Sequence, residues 1–423
     1  MRIENARQEI RDILSFFSES FSRPSFKFFS SFIIGFIQLG KEVHTSSMVR
    51  SLVHSLLPHH SLSNFTRFLG ENLWAVEEVT ETALHQFFQR LQITVRDVLF
   101  LIVDDTLLKK TGKRIPGCGW HKDHAQNMAN VFGHQWVVSA LLYKDFLLPL
   151  WAKLYHPKGT RGCGPFETKI ALAKRIIQRL RLPVPCKLCI LADSWYWAKT
   201  LVKVCRKCGY HMISQLKSNS VLSMHGKRTK VTSLLTLTAS FREVSLFVYG
   251  KNKRLEVARF IGDIKDLGKV AVVVVKEKRK KPIYLVCTNL HLPAIVVIQY
   301  YAKRWKIEQM IKDLKQRLGL GHYQVRTLQA ILRHVALVLL SYVVLILLKI
   351  LPWVKDKSIS LDLSIRRLAF QVRKNILFEN ITVTLKTMQI RFKQNILDTY
   401  LDELVVPEKV FLSSQDVFLF VNR

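Results

Sequence analysis

Acidic side chains are scarce in this chain: 31 Asp and Glu stand against 65 Lys and Arg in 423 residues, a formal charge of +34. A surplus of that size repels itself, and a polyanion is its natural counterweight, nucleic acid first and an anionic membrane surface second. Glycine (17) and proline (12) are also few, which excludes collagen-like and low-complexity chains. Cysteine numbers seven; the odd count, with no secretory leader, argues against a disulfide framework. Long apolar runs are missing too. The longest, Val335 to Leu348, spans fourteen residues, is interrupted by Ser341 and Tyr342, and meets Lys349, short of the ~20 residues a bilayer-crossing helix needs. The largely apolar Phe26 to Leu39 follows mixed charges and has no basic leader. These features predict a chain that engages no membrane and works in the cytoplasm. Apolar residues still make up 49%, enough to exclude global disorder.

The shortage of acids is local. Residues 1–95 hold nine basic and nine acidic side chains, and residues 351–423 hold eleven and eight; residues 96–350 carry 45 basic against 14 acidic. A field concentrated in the middle points to a surface that meets phosphate backbones. Its densest part is Lys276-Glu277-Lys278-Arg279-Lys280-Lys281, flanked by strand-like Ala271–Val275 and Ile283–Cys287. That pattern predicts a hairpin with Lys278, Arg279, Lys280 and Lys281 at its tip, either solvated or touching DNA.

Periodicity divides the chain further. Apolar spacings of three and four predict helices over 1–95, a unit for binding DNA ends or for dimerisation. Leu99–Val103 and Leu188–Ala192 read as buried strands, with a helix over Glu167–Leu182 between them. Strands alternating with helices predict an α/β class. The expected segments are a first core part at 96–212, a β-rich insertion at 213–292, a core part completed by the Glu308 helix at 293–350, and a C-terminal region at 351–423. Two CxxC pairs, Cys186/Cys189 and Cys205/Cys208, have a spacing that suits structural zinc. The first pair, however, sits in a strand-like run, which favours buried, inert thiols.

In so basic a segment each acid needs a reason. Asp104 and Asp105 end one predicted strand and Asp193 ends another, where α/β sheets place their ligand sites. Helix-capping acids would look the same. A third acid lies in a helical stretch: at about 100° per residue, Tyr301, Arg304, Glu308 and Lys315 share one sector of roughly 60°. A surface salt-bridged helix has this pattern as well. Three carboxylates holding Mg²⁺ or Mn²⁺ can activate water or a 3′ hydroxyl and stabilise the leaving oxygen of a phosphodiester.

The spacing of Tyr301, Arg304, Glu308 and Lys315, with Val103-Asp104-Asp105-Thr106 and Leu191-Ala192-Asp193-Ser194, resembles bacterial insertion-sequence transposases, in particular their insertion-sequence-4-like branch. The resemblance covers roughly 97–350. It implies a ribonuclease H-like mixed sheet flanked by helices, interrupted by a β-rich insertion, behind a helical N-terminal domain. It implies Asp104, Asp193 and Glu308 as catalytic metal ligands, with Asp105 the alternate to Asp104, because neighbouring strand residues face opposite ways and the family pattern leaves one residue before Thr106. Further implications are DNA contacts from Tyr301, Arg304 and Lys315, cleavage and strand transfer of transposon ends into a target, a homodimer assembled on DNA, and a nucleoid-associated location. The rival readings are a nuclease without strand transfer and an inactive DNA-binding relic.

Overall fold

The computed structural model describes residues 6–40, 61–112, 114–123, 129–160, 162–355 and 364–387. Two compact units emerge, one of residues Gln92–Lys312 and one of Met1–Leu91 with Asp313–Arg423.

The first unit is built on a mixed sheet, α/β as the sequence predicts. Apolar, β-branched runs form β1 (Val98–Lys109), β2 (Gly119–Asp123), β3 (Ala129–Tyr143), β4 (Phe146–Tyr155), β5 (Lys187–Ala192) and β6 (His211–Gln215). β3 and β4 are joined by the two-residue turn Lys144-Asp145 and pair antiparallel, and β1 pairs antiparallel with β3. Gly133 lies against Leu108 in that pairing, where a Cβ would collide with the Leu108 carbonyl. On its other edge β1 runs parallel to β5, and β5 parallel to β6. Helices α5 (Lys169–Arg179) and α6 (Lys199–Lys207) supply the crossovers. Thr168 caps α5 through its hydroxyl, which accepts from the Ala171 amide at 3.1 Å.

The β-rich segment extends this sheet instead of forming a separate one. β7 (Val221–Met224), β8 (Lys227–Lys230), β9 (Arg242–Val248), β10 (Lys251–Ile264), β11 (Gly268–Lys276) and β12 (Ile283–Cys287) follow β6, with β12 paired to β6. The order β2-β3-β1-β5-β6-β12-β11-β10-β7-β8 is continuous, with β4 on β3 and β9 on β10. The segment has its own core around Leu222, Val231, Phe260, Val272 and Val286. β11 and β12 form the predicted hairpin, paired from Val275 to Ile283, with Lys278, Arg279, Lys280 and Lys281 exposed at its tip. Helix α7 (Ala294–Ala302) packs on β6 and on β9 to β12.

The second unit is helical: α1 (Ala6–Ser15), α2 (Arg23–Leu39), α3 (Leu62–Gly70), α4 (Val76–Leu91), α9 (Leu328–Lys355) and α10 (Ile365–Thr387). The boundary between units falls inside α8 (Trp305–Arg317). α9 therefore groups with the N-terminal helices, packing on α1 to α4, although the sequence pattern reads it as part of the segment that completes the core.

Helix α9 is also longer than its apolar run suggests. Leu328–Leu351, 24 residues of mean hydropathy 2.5, is long and apolar enough to cross a membrane by length and composition, but 89% of its most apolar stretch is buried in the protein. The helix continues through Pro352 to Lys355. Arg333 and His334 lie inside it and are buried. Arg333 donates to the carbonyls of Leu69 (3.2 Å) and Trp74 (2.9 Å) and stacks over the Trp74 ring at 4.7 Å. Its guanidinium thus meets the carbonyl end of α3, where a cation is favoured.

Replacing Arg333 by Ala would leave those buried carbonyls without a donor. We expect a loss of about 3 kcal/mol in chemical denaturation; a loss near zero would show that water satisfies them equally well.

Candidate active site

β1 does not end at the aspartates. It runs on to Lys109, so Asp104 and Asp105 lie within a strand paired to Val138 and Val137 of β3. The apolar run breaks there, but Leu107 and Leu108 keep the strand going. Asp193 does follow the end of β5, one residue beyond the last parallel pair, Val103 with Ala192. That register puts Asp104 and Asp193 at matching positions on neighbouring strands, and parallel neighbours in register face the same side.

Alternation then separates the two β1 acids. Phe100, on the face of Asp104, packs edge-on against Tyr300 of α7 with centroids 4.6 Å apart. On that face Arg304 donates from Nη1 to Asp104 Oδ2 at 2.8 Å and from Nη2 to Glu308 Oε1 at 2.5 Å. On the other face Asp105 accepts from Gln135 and from Lys169 at the start of α5. Neither Gln135 nor Lys169 carries a spacing signal that would have found it in the sequence.

The wheel that grouped Tyr301, Arg304, Glu308 and Lys315 assumes one continuous helix. The chain instead breaks between α7 and α8. The amides of Lys303, Arg304, Lys306 and Ile307 bond to carbonyls three residues back, the first two at 3.0 Å and the others at 3.1 Å, the tighter 3₁₀ pattern that marks helix junctions. Arg304 sits in this junction and Glu308 in the first turn of α8. Tyr301, 8% exposed, lies with its ring centroid 5.9 Å from the Arg304 guanidinium. Lys315 lies in the last turn of α8, in the helical unit. Tyr249, at the β9–β10 turn, feels the charges of both Arg304 and Glu308.

Burial dominates the electrostatics. It pushes the Asp104 carboxyl up to about 7, against the pull of Arg304 and of the Asp105 amide, while Asp193 and Asp105 add to the rise. Asp193 is raised by burial, offset by the amide of Trp195 bonded to its Oδ1 at 3.0 Å; Asp105 raises it further, and the Tyr196 amide and Arg304 lower it. The Tyr196 hydroxyl, fully buried, feels Asp105, Asp104 and Asp193 and has no hydrogen-bond partner among the described residues.

The profile of the family described as Transposase DDE domain matches residues 98–344. The chain belongs to this family. A search of curated proteins finds no match. Among solved structures the chain is similar to a piggyBac transposase, described in a cryo-EM synaptic complex with hairpin DNA, at 14% identity and a TM-score of 0.45, over 97% of this chain and 84% of that one.

In this DDE transposase domain, hard carboxylate oxygens suit a Mg²⁺-like dication. Asp104 and Asp193 fit one: burial raises each, acidic neighbours add to the rise, and the buried Tyr196 hydroxyl that feels both has no hydrogen-bond partner among the described residues. As the side chains stand, no group of three or more His, Cys, Asp or Glu among the described residues is placed to hold an ion, and Arg304 bonds both Asp104 and Glu308. Cys186, Cys189, Cys205 and Cys208 form no such group among the described residues. Burial pushes the Cys205 thiol up to about 12 and raises Cys189 strongly.

An unfolded aspartate titrates near ~4, whereas folded Asp104 keeps its proton up to about 7. Between these values the folded state binds more protons, so stability is full below about 4 and declines as pH rises towards about 7. Denaturation of metal-free protein across that range should show this decline, and Asp104→Asn should flatten it. An identical profile in the variant would contradict the assignment.

Proposed function

We propose that this chain catalyses metal-dependent cleavage of DNA phosphodiesters and strand transfer of an insertion sequence, as a bacterial transposase of the insertion-sequence-4-like branch. The observation that carries the reading is the Asp104–Arg304–Glu308 contact beside Asp193 at the matching position of the neighbouring strand. Mg²⁺ or Mn²⁺ held by Asp104, Asp193 and Glu308 would supply an activated water or 3′ hydroxyl and stabilisation of the leaving oxygen. Asp105 is the alternate to Asp104; its bond to Lys169 favours a positioning role.

Arg304 serves the DNA strand. Its planar fork, now on two carboxylates, suits a phosphate equally well, and the buried Tyr301 ring supports it. Lys315 and the exposed Lys278, Arg279, Lys280 and Lys281 are further phosphate contacts, in keeping with the charge of the middle segment. The partners are transposon ends and target DNA, engaged as a homodimer at the nucleoid in the cytoplasm. The neutral N-terminal helices suit dimerisation as well as they suit end binding.

The test is incubation with Mg²⁺ and DNA carrying the element's ends, scored for cut and joined products. Asp104→Ala, Asp193→Ala and Glu308→Ala should each lose both products, by a thousandfold or more on the order of other metal-assisted steps, while DNA binding persists. Full cleavage by Asp193→Ala would reject the site. An inactive Asp105→Ala beside an active Asp104→Ala would exchange their roles. Cutting without joining would leave a nuclease.

A further inference from the structure

We infer that Asp145, at the turn between β3 and β4, is a positioning residue for Glu308. Through Lys306 and Lys303 it keeps the start of α8 in place while Arg304 leaves its carboxylates for a DNA phosphate. The inference rests on the reading of Glu308 as a metal ligand.

An acid in a two-residue hairpin turn is ordinarily there for the turn itself. Asp145 also reaches across the fold: its Oδ1 accepts from Lys306 Nζ at 2.5 Å, 161 positions away in the chain. Lys306 lies in the first turn of α8, as Glu308 does. Lys303, half-buried, feels the Asp145 charge as well, and its ammonium lies 5.6 Å from the Phe100 ring of β1. The same Phe100 ring holds Tyr300 of α7. The β3–β4 turn and the early part of β1 therefore grip both ends of the α7–α8 junction.

The junction has reason to need that grip. Its amides bond to carbonyls three residues back, a weaker geometry than the α-helical one. Lys303, Arg304 and Lys306 crowd the N-terminal end of α8, where the helix dipole disfavours cations. Acids answer them, Asp104 and Glu308 on Arg304 and Asp145 on Lys306. These two anchors lie apart on the sheet. Asp104 follows Phe100 on the same face of β1, about 13 Å along the strand, whereas Asp145 sits just past Leu142, the partner of Phe100. A metal on Asp104 and Glu308, or a phosphate on Arg304, releases the first anchor and leaves the second untouched.

The Lys306 and Asp145 side chains are 30% and 56% exposed, so their pair adds little to overall stability. Its effect is on position. A misplacement of about 1 Å in a catalytic group costs on the order of a hundredfold in rate.

The test uses the full chain and Asp145→Asn, which keeps the turn-forming side chain and removes the charge. Losing a carboxylate leaves the protein more positive, so slower cutting would not come from weaker attraction to DNA. Hydrogen–deuterium exchange without DNA or metal should show residues 303–307 exchanging about tenfold faster when Asp145→Asn is added to Arg304→Ala, with β5 unchanged. With Mg²⁺ and DNA carrying the element's ends, Asp145→Asn alone should lower kcat about tenfold, with KM and the thermal midpoint unchanged. Asp145→Glu should keep most of the rate. Lys306→Gln should match Asp145→Asn, and the double variant should be no slower than either, because the two act through one contact. Unchanged exchange, or losses that multiply in the double variant, would overturn the proposal. Faster exchange in a protein whose wild type never cuts DNA would leave the anchor standing and reject the cutting reading. Cutting at the full rate by Asp145→Asn would reject the anchor alone.

Discussion

A single guanidinium joins the parts of this site. Arg304 bonds Asp104 from the middle of β1 and Glu308 from the first turn of α8, residues far apart in the chain. Without that cation the two carboxylates would face each other in a setting that already pushes Asp104 up to about 7. A part-buried acid pair favours a positive partner, since removing an unpaired charge from water is costly. The 3₁₀ junction between α7 and α8 turns Arg304 towards the strand, and the Tyr301 ring backs it. Sheet register, helix junction and guanidinium geometry thus converge on one place.

The scarcity of acids gives this arrangement its contrast. A sheet unit rich in Lys and Arg sets Asp104, Asp105 and Asp193 where β1 and β5 run side by side. The cations elsewhere are dispersed over exposed positions such as the β11–β12 tip. Arg304 can exchange one anionic partner for another because carboxylate and phosphate present similar pairs of oxygens to its fork.

Much of this was legible in the residues. Asp193 follows a short apolar run and does end a strand. The interval between Arg304 and Glu308 is one helical turn, and the two side chains bond. The charged hairpin tip was readable from two flanking β-branched runs. The limits of the elements were harder to read. β1 outlasts its apolar run because strand pairing with β3 carries it through the aspartates. The helix wheel passed over the junction at Lys303 and Arg304, which has no glycine or proline to announce it. The apolar run Val335 to Leu348 understates its helix, which begins before it at Leu328 and buries the charged Arg333 on carbonyls at the end of another helix. Lys169 and Gln135, which hold Asp105, come from distant elements that no local spacing connects.

The central claim, that Asp104, Asp193 and Glu308 serve one metal seat organised by Arg304, is tested most directly by Mn²⁺ binding followed by electron paramagnetic resonance in the absence of DNA. The account predicts saturable binding in the wild type, its loss in Asp104→Asn and Asp193→Asn, and weaker binding in Glu308→Gln. Equal Mn²⁺ affinity in the wild type and all three variants would contradict it.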